Sequence, residues 1–193
     1  MDIFTLSFFN HILFWVTLYL LSYNAYMLIF NKGVPNIRTA PAVRAKIIEI
    51  LKADMAARPD ERPYTIIDLG SGNGLFSREI ARAIPEAQVL GLEFSRQSIF
   101  WSQMMKRQHG LKNLDYKRAD FFAYDVGIAS AVVLYLSIYE MGRVGVKLNK
   151  ELKPGTLVTS NKFQLGDGWE PREIVEIDTI YLHQGKLNVY RKP

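Results

Sequence analysis

Three glycines at alternate positions are the residues of this chain with the clearest chemical meaning. Gly70, Gly72 and Gly74 lie in the sequence Asp-Leu-Gly-Ser-Gly-Asn-Gly, between an apolar run at 64–69 and a helical pattern at 75–84. Glycine allows a tight turn and lets a ligand approach the backbone closely. The free amides at the start of a helix attract a negatively charged group. The segment therefore predicts a binding site for a nucleotide-like ligand at the end of a strand.

A carboxylate after the next strand supports the same interpretation. Glu93 ends the predicted strand that follows the glycines, where its oxygens can accept hydrogen bonds from both hydroxyls of a ribose. Dinucleotide binding is a rival, because it also uses glycines after the first strand and an acid after the second. Its pattern, G-x-G-x-x-G, requires a glycine where this chain has Leu75. The spacing therefore fits dinucleotide binding less well.

The elements that must position these residues alternate along the chain. Apolar runs typical of strands are followed by amphipathic stretches typical of helices. The predicted helices are 43–58, 75–84, 95–109 and 137–152, and the predicted strands are 64–69, 88–92, 114–118, 131–136, 156–160, 174–182 and 186–191. This order predicts an α/β fold with a doubly wound, mostly parallel seven-stranded sheet, Rossmann-like, whose last strand pair is antiparallel at one edge.

The start of the chain predicts a separate hydrophobic helix. Residues 3–30 contain no Asp, Glu, Lys or Arg, and this length exceeds the ~20 residues that a helix needs to cross the hydrocarbon layer. We therefore expect one N-terminal transmembrane helix at 1–31 that contacts membrane lipid, a Gly- and Pro-containing linker at 32–41, and a globular domain at 42–193.

Basic residues after the hydrophobic segment set the expected orientation. Lys32, Arg38, Arg44 and Lys46 follow it closely, which places the domain of a single-pass membrane protein in the cytoplasm, or in the mitochondrial matrix of an organellar protein. A cleaved signal peptide is disfavoured, because no basic residue precedes the segment and no small-x-small site follows it. A helix that lies in the membrane interface, or in a protein core, stays an open alternative.

The amino-acid composition excludes several kinds of catalytic and metal-binding site. The chain has no cysteine, which excludes disulfides, thiolate metal sites and cysteine nucleophiles. His11, His109 and His183 are far apart in sequence, so no metal site is predicted. A net charge of +5 is by itself compatible with nucleic acid, an anionic membrane surface or a plain solvated surface. No nucleic acid partner is expected. The chemistry must therefore come from a cofactor or from oxygen and nitrogen side chains.

From about residue 40 onward the chain resembles the class I S-adenosylmethionine-dependent methyltransferases. The resemblance rests on the acidic-Leu-Gly-x-Gly-x-Gly turn, on the acid after the second strand, and on Ala119-Asp120-Phe121 after the third. It implies S-adenosylmethionine as the cofactor. The implied contacts are Asp68, Gly70, Ser71, Gly72, Asn73 and Gly74 for the methionine part, Glu93 for the ribose, Phe94 for the adenine ring, and Asp120 with Phe121 for the adenine amino group.

The second half of the chain is similar to a group of small membrane-anchored methyltransferases that includes mitochondrial protein-lysine methyltransferases and bacterial relatives. The similar segments are Leu134-Tyr135-Leu136-Ser137, Glu151-Leu152-Lys153-Pro154-Gly155-Thr156, Trp169-Glu170-Pro171 and Ile180-Tyr181-Leu182. The resemblance implies a lysine on a membrane protein as the methyl acceptor. The Asn/Asp-Pro-Pro-Tyr motif of many amino-group methyltransferases is missing after the fourth strand, so polar recognition of a planar amide or base nitrogen lacks support. A lipid or quinone-like acceptor, and a module that binds the cofactor without catalysis, stay open.

Two side chains are candidates for the catalytic step. A lysine must be neutral to attack a methyl group, and a tyrosine or carboxylate near it can orient or deprotonate it. Tyr135 is the first candidate and Glu140 the second, although a strand tyrosine equally suits simple core packing. The segment Trp169-Glu170-Pro171 suits either a lid or a plain turn. Nothing in the sequence predicts the oligomeric state.

Overall fold

The structure is a computed structural model that describes residues 3–31, 37–166, 168–180 and 185–193. Part of the predicted linker, 32–36, lies outside these ranges, as do His183 and the last two residues of the predicted strand 174–182. The chain divides into two compact units, Met1–Ile37 and Arg38–Pro193.

The first unit contains one helix, α1, at Ile3–Asn31. Two of its polar side chains donate hydrogen bonds to the carbonyl one turn earlier: the Ser22 hydroxyl to Leu18 at 2.7 Å, and the Asn24 amide to Leu20 at 2.7 Å. Within the described residues, no helix is long and apolar enough to cross a membrane.

This finding corrects the prediction of a transmembrane helix at 1–31. The prediction rested on the absence of charged residues, but an uncharged segment is not always an apolar one. Between residues 7 and 26 the helix carries many hydroxyl, amide and imidazole groups, which lower its mean hydropathy: Ser7, Asn10, His11, Thr17, Tyr19, Ser22, Tyr23, Asn24 and Tyr26.

The second unit begins with helix α2 and then alternates strands with helices. Its elements are α2 Pro41–Ala57, β1 Thr65–Leu69, α3 Leu75–Ala83, β2 Gln88–Glu93, α4 Arg96–Gln108, β3 Leu114–Arg118, β4 Ala131–Leu134, α5 Met141–Glu151, β5 Leu157–Asn161, β6 Glu173–Glu176 and β7 Lys186–Arg191, with a 3₁₀ turn at Ile138–Glu140. The predicted helix 137–152 is therefore this turn followed by α5, and the predicted strand 174–182 is the shorter β6.

The described strands form one seven-stranded sheet in the order β3-β2-β1-β4-β5-β7-β6. Strands β1 to β5 pair in parallel, whereas β7 pairs antiparallel with both β5 and β6. The predicted doubly wound α/β sheet is confirmed. The order of strands reverses between β1 and β4, and ligands bind at such a switch point outside the carboxyl ends of the strands.

Two apolar clusters cover the two faces of the sheet. One joins strand residues to helices α2 and α3 and includes Val43, Ile47, Leu51, Ile66, Ile80 and Val133. The other joins strand residues to helix α5 and includes Val132, Leu134, Val144, Leu148, Val158 and Tyr190. Strands β4 and β5 are buried along their whole length, as expected of central parallel strands. The packed strands hold the residues at their carboxyl ends in fixed positions.

Candidate cofactor and acceptor site

The turn between β1 and α3 needs its glycines for backbone geometry and for packing. Gly70, Gly72 and Gly74 have φ angles of 74°, 54° and 71°, in the left-handed region that favours glycine. A Cβ atom on Gly70 would lie 2.7 Å from the Leu136 side chain, and one on Gly74 would overlap the Tyr116 ring. Any larger residue would therefore distort the turn.

Backbone amides of the turn fasten it to the end of β2. The Gly70 and Ser71 N–H groups both donate to the Leu92 carbonyl, at 2.9 and 3.0 Å. The Gly72 N–H donates to the Glu93 carboxylate at 2.9 Å. The predicted ribose-binding acid and the predicted methionine-binding turn are therefore in direct contact.

The Glu93 carboxylate is held at both oxygens. Oε2 accepts the bond from Gly72, and Oε1 accepts one from the Ser95 N–H at 2.7 Å. A carboxylate has about four acceptor positions, so each oxygen keeps one lone pair for a further donor. Glu93 is only partly buried, and its arrangement suits a ligand with two neighbouring hydroxyls.

Asp68 lies beneath the turn and contacts the first helix after it. Its carboxylate is buried and accepts a hydrogen bond from the Ser77 hydroxyl of α3 at 2.5 Å. Burial raises the pKa of Asp68 to about 6; the Ser77 bond opposes this shift and the charge of Glu93 adds to it. The structure thus fixes Asp68 by a bond to α3, and its predicted contact with the methionine part stays a prediction.

The other two turn residues differ in how their polar atoms are satisfied. The Asn73 side chain accepts a bond from the Leu75 N–H at 3.3 Å, and the Asn73 carbonyl accepts one from Arg78 at 2.8 Å. The Ser71 hydroxyl is buried and has no hydrogen-bond partner in the described part of the chain. Asn73 therefore stabilises the start of α3, whereas Ser71 keeps an unused polar atom within the turn.

The ends of β2 and β3 bring together the residues predicted at the adenine. The Ala119 N–H donates to the Glu93 carbonyl at 3.0 Å, which joins the two strand ends. Phe94 is exposed, and Arg118 donates to its carbonyl at 3.2 Å. The Asp120 carboxylate accepts a bond from the Phe122 N–H at 3.0 Å. The segment that contains Asp120 is therefore ordered next to the Glu93 strand end.

The neighbouring aromatic pair completes this part of the site. The Phe121 and Phe122 rings lie with their centroids 4.6 Å apart, and Phe121 packs against the cluster around α5. The predicted adenine contacts, Phe94, Asp120 and Phe121, therefore all follow the carboxyl ends of neighbouring strands. Their individual roles stay predictions.

The two catalytic candidates occupy different settings. Tyr135 directly follows β4, beside the switch point, and burial raises the pKa of its hydroxyl, so the group stays protonated at neutral pH. Glu140 lies in the 3₁₀ turn, where its carboxylate pairs with Arg143 at 3.1 Å. The Tyr135 hydroxyl can thus donate a hydrogen bond at the end of β4, whereas the Glu140 carboxylate is already paired with Arg143. The catalytic roles of both residues stay predictions.

A comparison with known families identifies the enzyme class. The sequence profile of the ANTKMT methyltransferase domain matches residues 68–173. The chain belongs to this family. The ANTKMT-family protein is an S-adenosylmethionine-dependent methyltransferase, so the predicted cofactor and the predicted enzyme class are confirmed and the dinucleotide alternative is excluded.

Individual relatives agree with this assignment. The ANTKMT-family protein is 28% identical, over 157 residues, to a protein-lysine N-methyltransferase of Saccharolobus islandicus (strain REY15A), a match that covers 78% of this chain and 92% of the relative. A malonyl-[acyl-carrier protein] O-methyltransferase of Legionella pneumophila subsp. pneumophila (strain Philadelphia 1) is 32% identical over 93 residues, which is 46% of this chain and 32% of that protein.

Solved structures share the fold. An RNA methyltransferase from Salinibacter ruber, in complex with S-adenosyl-L-homocysteine, superposes with a TM-score of 0.69 at 24% identity over 81% of this chain and 94% of its own. A precorrin-6y C5,15-methyltransferase from Geobacter metallireducens GS-15 gives a TM-score of 0.58 at 15% identity over 82% and 92%. At these identities the likeness extends to the fold alone.

The geometry of the ANTKMT-family protein fits the cofactor. The buried Ser71 hydroxyl without a partner in the described residues, the free lone pairs of Glu93 and the glycine turn at a helix start suit a ligand with ribose hydroxyls and a carboxylate. When bound, S-adenosylmethionine supplies an electrophilic methyl group on a sulfonium. Glu93 would hold the ribose, and the turn would hold the methionine part beside the ends of β1 and β4.

Some residues of this site were not predicted from the sequence. Tyr116 fills the space beside Gly74 and Gly91, and its hydroxyl donates to the Gly74 carbonyl at 2.7 Å; burial raises its pKa to about 12. Asn161 and Thr159 are buried in β5 with polar atoms that lack partners in the described residues. Their sequence signal is a polar Thr-Ser-Asn run in an otherwise apolar central strand.

Trp169 resolves the alternative between a lid and a turn. Its side chain is buried, its indole N–H donates to the Gly145 carbonyl at 2.9 Å, and its ring meets Tyr190 edge-on at 5.8 Å between centroids. In the ANTKMT-family protein this tryptophan is therefore a core residue that anchors its loop to α5.

Proposed function

We propose that this methyltransferase transfers the methyl group of S-adenosylmethionine to the side-chain amine of a lysine in a protein. The observation that carries the proposal is the match to a protein-lysine N-methyltransferase, which extends over 92% of that relative. The placement of Tyr135 after β4, next to the turn after β1, supports it. The absence of Asn/Asp-Pro-Pro-Tyr after β4 agrees with an aliphatic amine rather than a planar amide or base nitrogen.

The proposed reaction is an in-line displacement. With S-adenosylmethionine bound, a neutral lysine nitrogen would form a bond to the methyl carbon as the sulfur–carbon bond breaks, and the electron pair of the broken bond would stay on sulfur. The resulting ammonium loses its extra proton to solvent. The chain contributes chiefly by proximity and orientation. Glu93 and the glycine turn fix one reactant on the β1 side of the switch point, which leaves the ends of β4 and β5 for the acceptor.

Tyr135 would orient the acceptor rather than deprotonate it. Its raised pKa keeps the phenol protonated near neutral pH, and a phenol can donate one hydrogen bond and accept another. The lysine would enter the site after losing its proton, as burial of an amine favours the neutral form. We therefore expect methyl transfer to become faster as pH rises towards the ordinary pKa of lysine.

The test is methylation by the full chain. Purified protein is incubated with methyl-labelled S-adenosylmethionine and separate protein and lipid extracts, and labelled proteins are digested for mass spectrometry. Label on lysine supports the proposal. Label found only in lipid extract favours the lipid or quinone acceptor, and cofactor binding without any transfer favours the non-catalytic module. A Glu93→Ala variant, checked for folding by circular dichroism, controls for contaminating activity.

We further propose that the acceptor is a membrane protein and that α1 attaches the enzyme to the bilayer surface. Helix α1 exposes large apolar side chains, among them Phe8, Leu13, Trp15 and Leu21, each at least 60% exposed. These side chains would insert at the boundary between headgroups and acyl chains, where tryptophan and tyrosine are enriched. The basic residues that follow α1 would be attracted to anionic headgroups, which favours the cytoplasmic leaflet or, in an organelle, the matrix side.

Flotation of the full chain with anionic vesicles tests this attachment. We expect the wild-type protein to float with the vesicles and a Leu13→Glu, Leu21→Glu variant to remain at the bottom of the gradient. A wild-type protein that does not float would contradict the attachment without affecting the lysine proposal. Arg118→Glu, at a surface position of the second unit, controls for a general effect of added negative charge.

A further inference from the structure

Strand β5 ends in buried polar groups that nothing in the described protein satisfies. The hydroxyl of Thr159 and both amide atoms of Asn161 have no hydrogen-bond partner in the described residues, although Thr159 is 0% and Asn161 1% exposed. Burial of an unpaired amide is costly, and most buried polar side chains in folded proteins have a partner. The unpaired side-chain atoms of Thr159 and Asn161 are therefore exceptions to this rule.

The register of the sheet places them on the same face as Asp68. Asp68 is opposite Val133 in the β1–β4 pair, and Val133 is opposite Thr159 in the β4–β5 pair. Paired residues in a parallel sheet point to the same face, and residues two apart on one strand share a face. Thr159 and Asn161 therefore lie on the Asp68 face, on the side of β4 away from the cofactor strands.

The same register brings Asn161 close to the catalytic candidate. Leu134 is opposite Ser160 in the last pair of the β4–β5 ladder, and Tyr135 and Asn161 are the residues that follow this pair along the two chains. Tyr135 is half-buried and directly follows β4. The unpaired amide thus lies at the carboxyl end of β5, on the side of the sheet edge where the methyl acceptor would approach the switch point.

The surrounding backbone keeps Asn161 in this position. The next residue, Lys162, has a φ of 68°, a left-handed conformation that is uncommon for a residue with a side chain. The Lys162 N–H donates to the Lys186 carbonyl at 2.7 Å, and the Phe163 N–H donates to the Asn161 carbonyl at 2.8 Å. The strand therefore ends in a tight, well-bonded turn directly after Asn161.

The neighbour on the opposite face shows that this end of the strand can satisfy a polar side chain. The Ser160 hydroxyl donates to the Phe163 carbonyl at 2.6 Å. Across the strand pair, the Asn188 amide donates to the Ser160 carbonyl at 3.3 Å. Among the described residues, the face that carries Ser160 keeps one unpartnered side-chain atom here, the Asn188 oxygen, whereas Thr159 and Asn161 on the other face have three.

We infer that Asn161 contacts the acceptor: its side-chain oxygen accepts a hydrogen bond from the neutral lysine amine and directs the nitrogen lone pair towards the methyl group. This inference rests on the proposed lysine specificity. An amide neither gains nor loses a proton at neutral pH, so Asn161 orients the amine and does not act as a base. Thr159 lies on the same face two residues earlier in β5 and has a second unpartnered oxygen among the described residues. When the lysine binds, the unpaired side-chain oxygen of Asn161 gains a hydrogen bond. This favours an amine with N–H donors over a methyl acceptor that has none.

Asn161→Leu in the full chain tests the inference. Leucine has a similar volume and no polar atom, so removing the unpaired amide is expected to leave the melting temperature unchanged or to raise it. The dissociation constant for S-adenosylmethionine should not change. The kcat/KM for the lysine acceptor should fall about 10- to 100-fold, as expected for a lost hydrogen bond in the reacting complex.

Two further variants provide a matched control and a test of rescue for Asn161→Leu. Asn188→Leu removes an equally buried amide on the opposite face, and its kcat/KM for the acceptor should match the wild type even where its stability falls. Asn161→Asp keeps an acceptor oxygen at the same place, so it should recover at least about tenfold of the activity lost in the leucine variant, with a pH profile that follows ionisation of the new carboxylate.

The outcomes separate the inference from the proposed function. If the wild type methylates lysine and Asn161→Leu keeps wild-type kcat/KM, Asn161 has a structural or water-binding role and the inference is wrong. A leucine variant with a lower melting temperature and unchanged kinetics overturns the inference in the same way. If the wild type methylates no protein lysine, both the proposed function and the inference fail.

Discussion

The backbone N–H of Gly72 donates a hydrogen bond of 2.9 Å to the carboxylate of Glu93. The acid that is predicted to hold the ribose is therefore also part of the structure of the glycine turn. Because the second Glu93 oxygen accepts from Ser95, one side chain links the turn after β1 to the start of α4. Substitutions at Glu93 should affect both cofactor contact and the shape of the turn.

Glu93→Gln is expected to weaken S-adenosylmethionine binding about 10- to 100-fold. A glutamine replaces one carboxylate oxygen by a donor, which would face the N–H of either Gly72 or Ser95 and leave two donors opposed. Calorimetric titration of the full chain measures the effect. Glu140→Gln, which changes a carboxylate paired with Arg143, serves as the control, and equal affinities for both variants would contradict the role of Glu93.

The stability of the protein should depend on pH through Asp68. Its pKa is raised from 3.8 to about 6 by burial, so the folded state binds the proton more tightly than the unfolded state. The stabilisation is complete below about pH 4 and is lost as pH rises through about 6. Relative to Asp68→Asn, the wild type should therefore lose about 2–3 kcal/mol of unfolding free energy between about pH 4 and pH 7.

Urea unfolding of the cofactor-free protein at several pH values measures this difference. Ser77→Ala removes the hydrogen bond that opposes the shift, and we expect it to move the transition to higher pH. A difference between wild type and Asp68→Asn that is independent of pH would show that Asp68 has an ordinary pKa in the folded state.

Tyr116 should stabilise the glycine turn through the hydrogen bond of its hydroxyl and the packing of its ring. Tyr116→Phe removes the bond between its hydroxyl and the Gly74 carbonyl and should lower the free energy of unfolding by about 1 kcal/mol. Gly74→Ala should cost about 2 kcal/mol or more, because its Cβ would meet the Tyr116 ring at a left-handed φ. Gly110→Ala, at a left-handed glycine with open space around it, separates the backbone effect from the clash.

Trp169→Phe should reduce stability and leave acceptor kinetics unchanged. The variant loses the hydrogen bond to Gly145 and part of the ring contact with Tyr190, for which we expect about 1–2 kcal/mol. Chemical denaturation gives the first quantity and initial rates give the second. Trp101→Phe, at an exposed position on α4, should alter neither. A raised KM for the acceptor in Trp169→Phe would instead indicate a lid.

The sequence was sufficient for the parts of the fold that are encoded locally. The β1–turn–α3 unit follows from the spacing of Gly70, Gly72 and Gly74, and the alternation of apolar and amphipathic stretches predicts the parallel strands. The position of β7 between β5 and β6 depends on pairing between distant segments, which periodicity does not reveal. The transmembrane prediction for α1 was wrong because it relied on the absence of charged residues and not on the mean hydropathy of the helix.

In the site, too, the residues that depend on local sequence spacing could be predicted, and those that depend on distant contacts could not. Glu93, Asp120 and the turn residues could be predicted as candidates because each follows a strand at a spacing that the chemistry of a nucleotide-like ligand requires. Asn161 could not, because its significance is the absence of hydrogen-bond partners among the described residues in three dimensions. Trp169 likewise remained ambiguous until its indole was seen to donate to Gly145 of α5.

The internal position of β7 also has a consequence for biosynthesis. Strand β5 is buried and pairs with β7, so one edge of β5 stays open until residues 186–191 have left the ribosome. An open edge of this kind is a template for pairing with other chains, and the nascent protein should need chaperone protection at this stage. A premature stop codon between residues 161 and 186 would leave that edge open permanently, and the product should be a substrate for proteolytic quality control rather than a weakened enzyme.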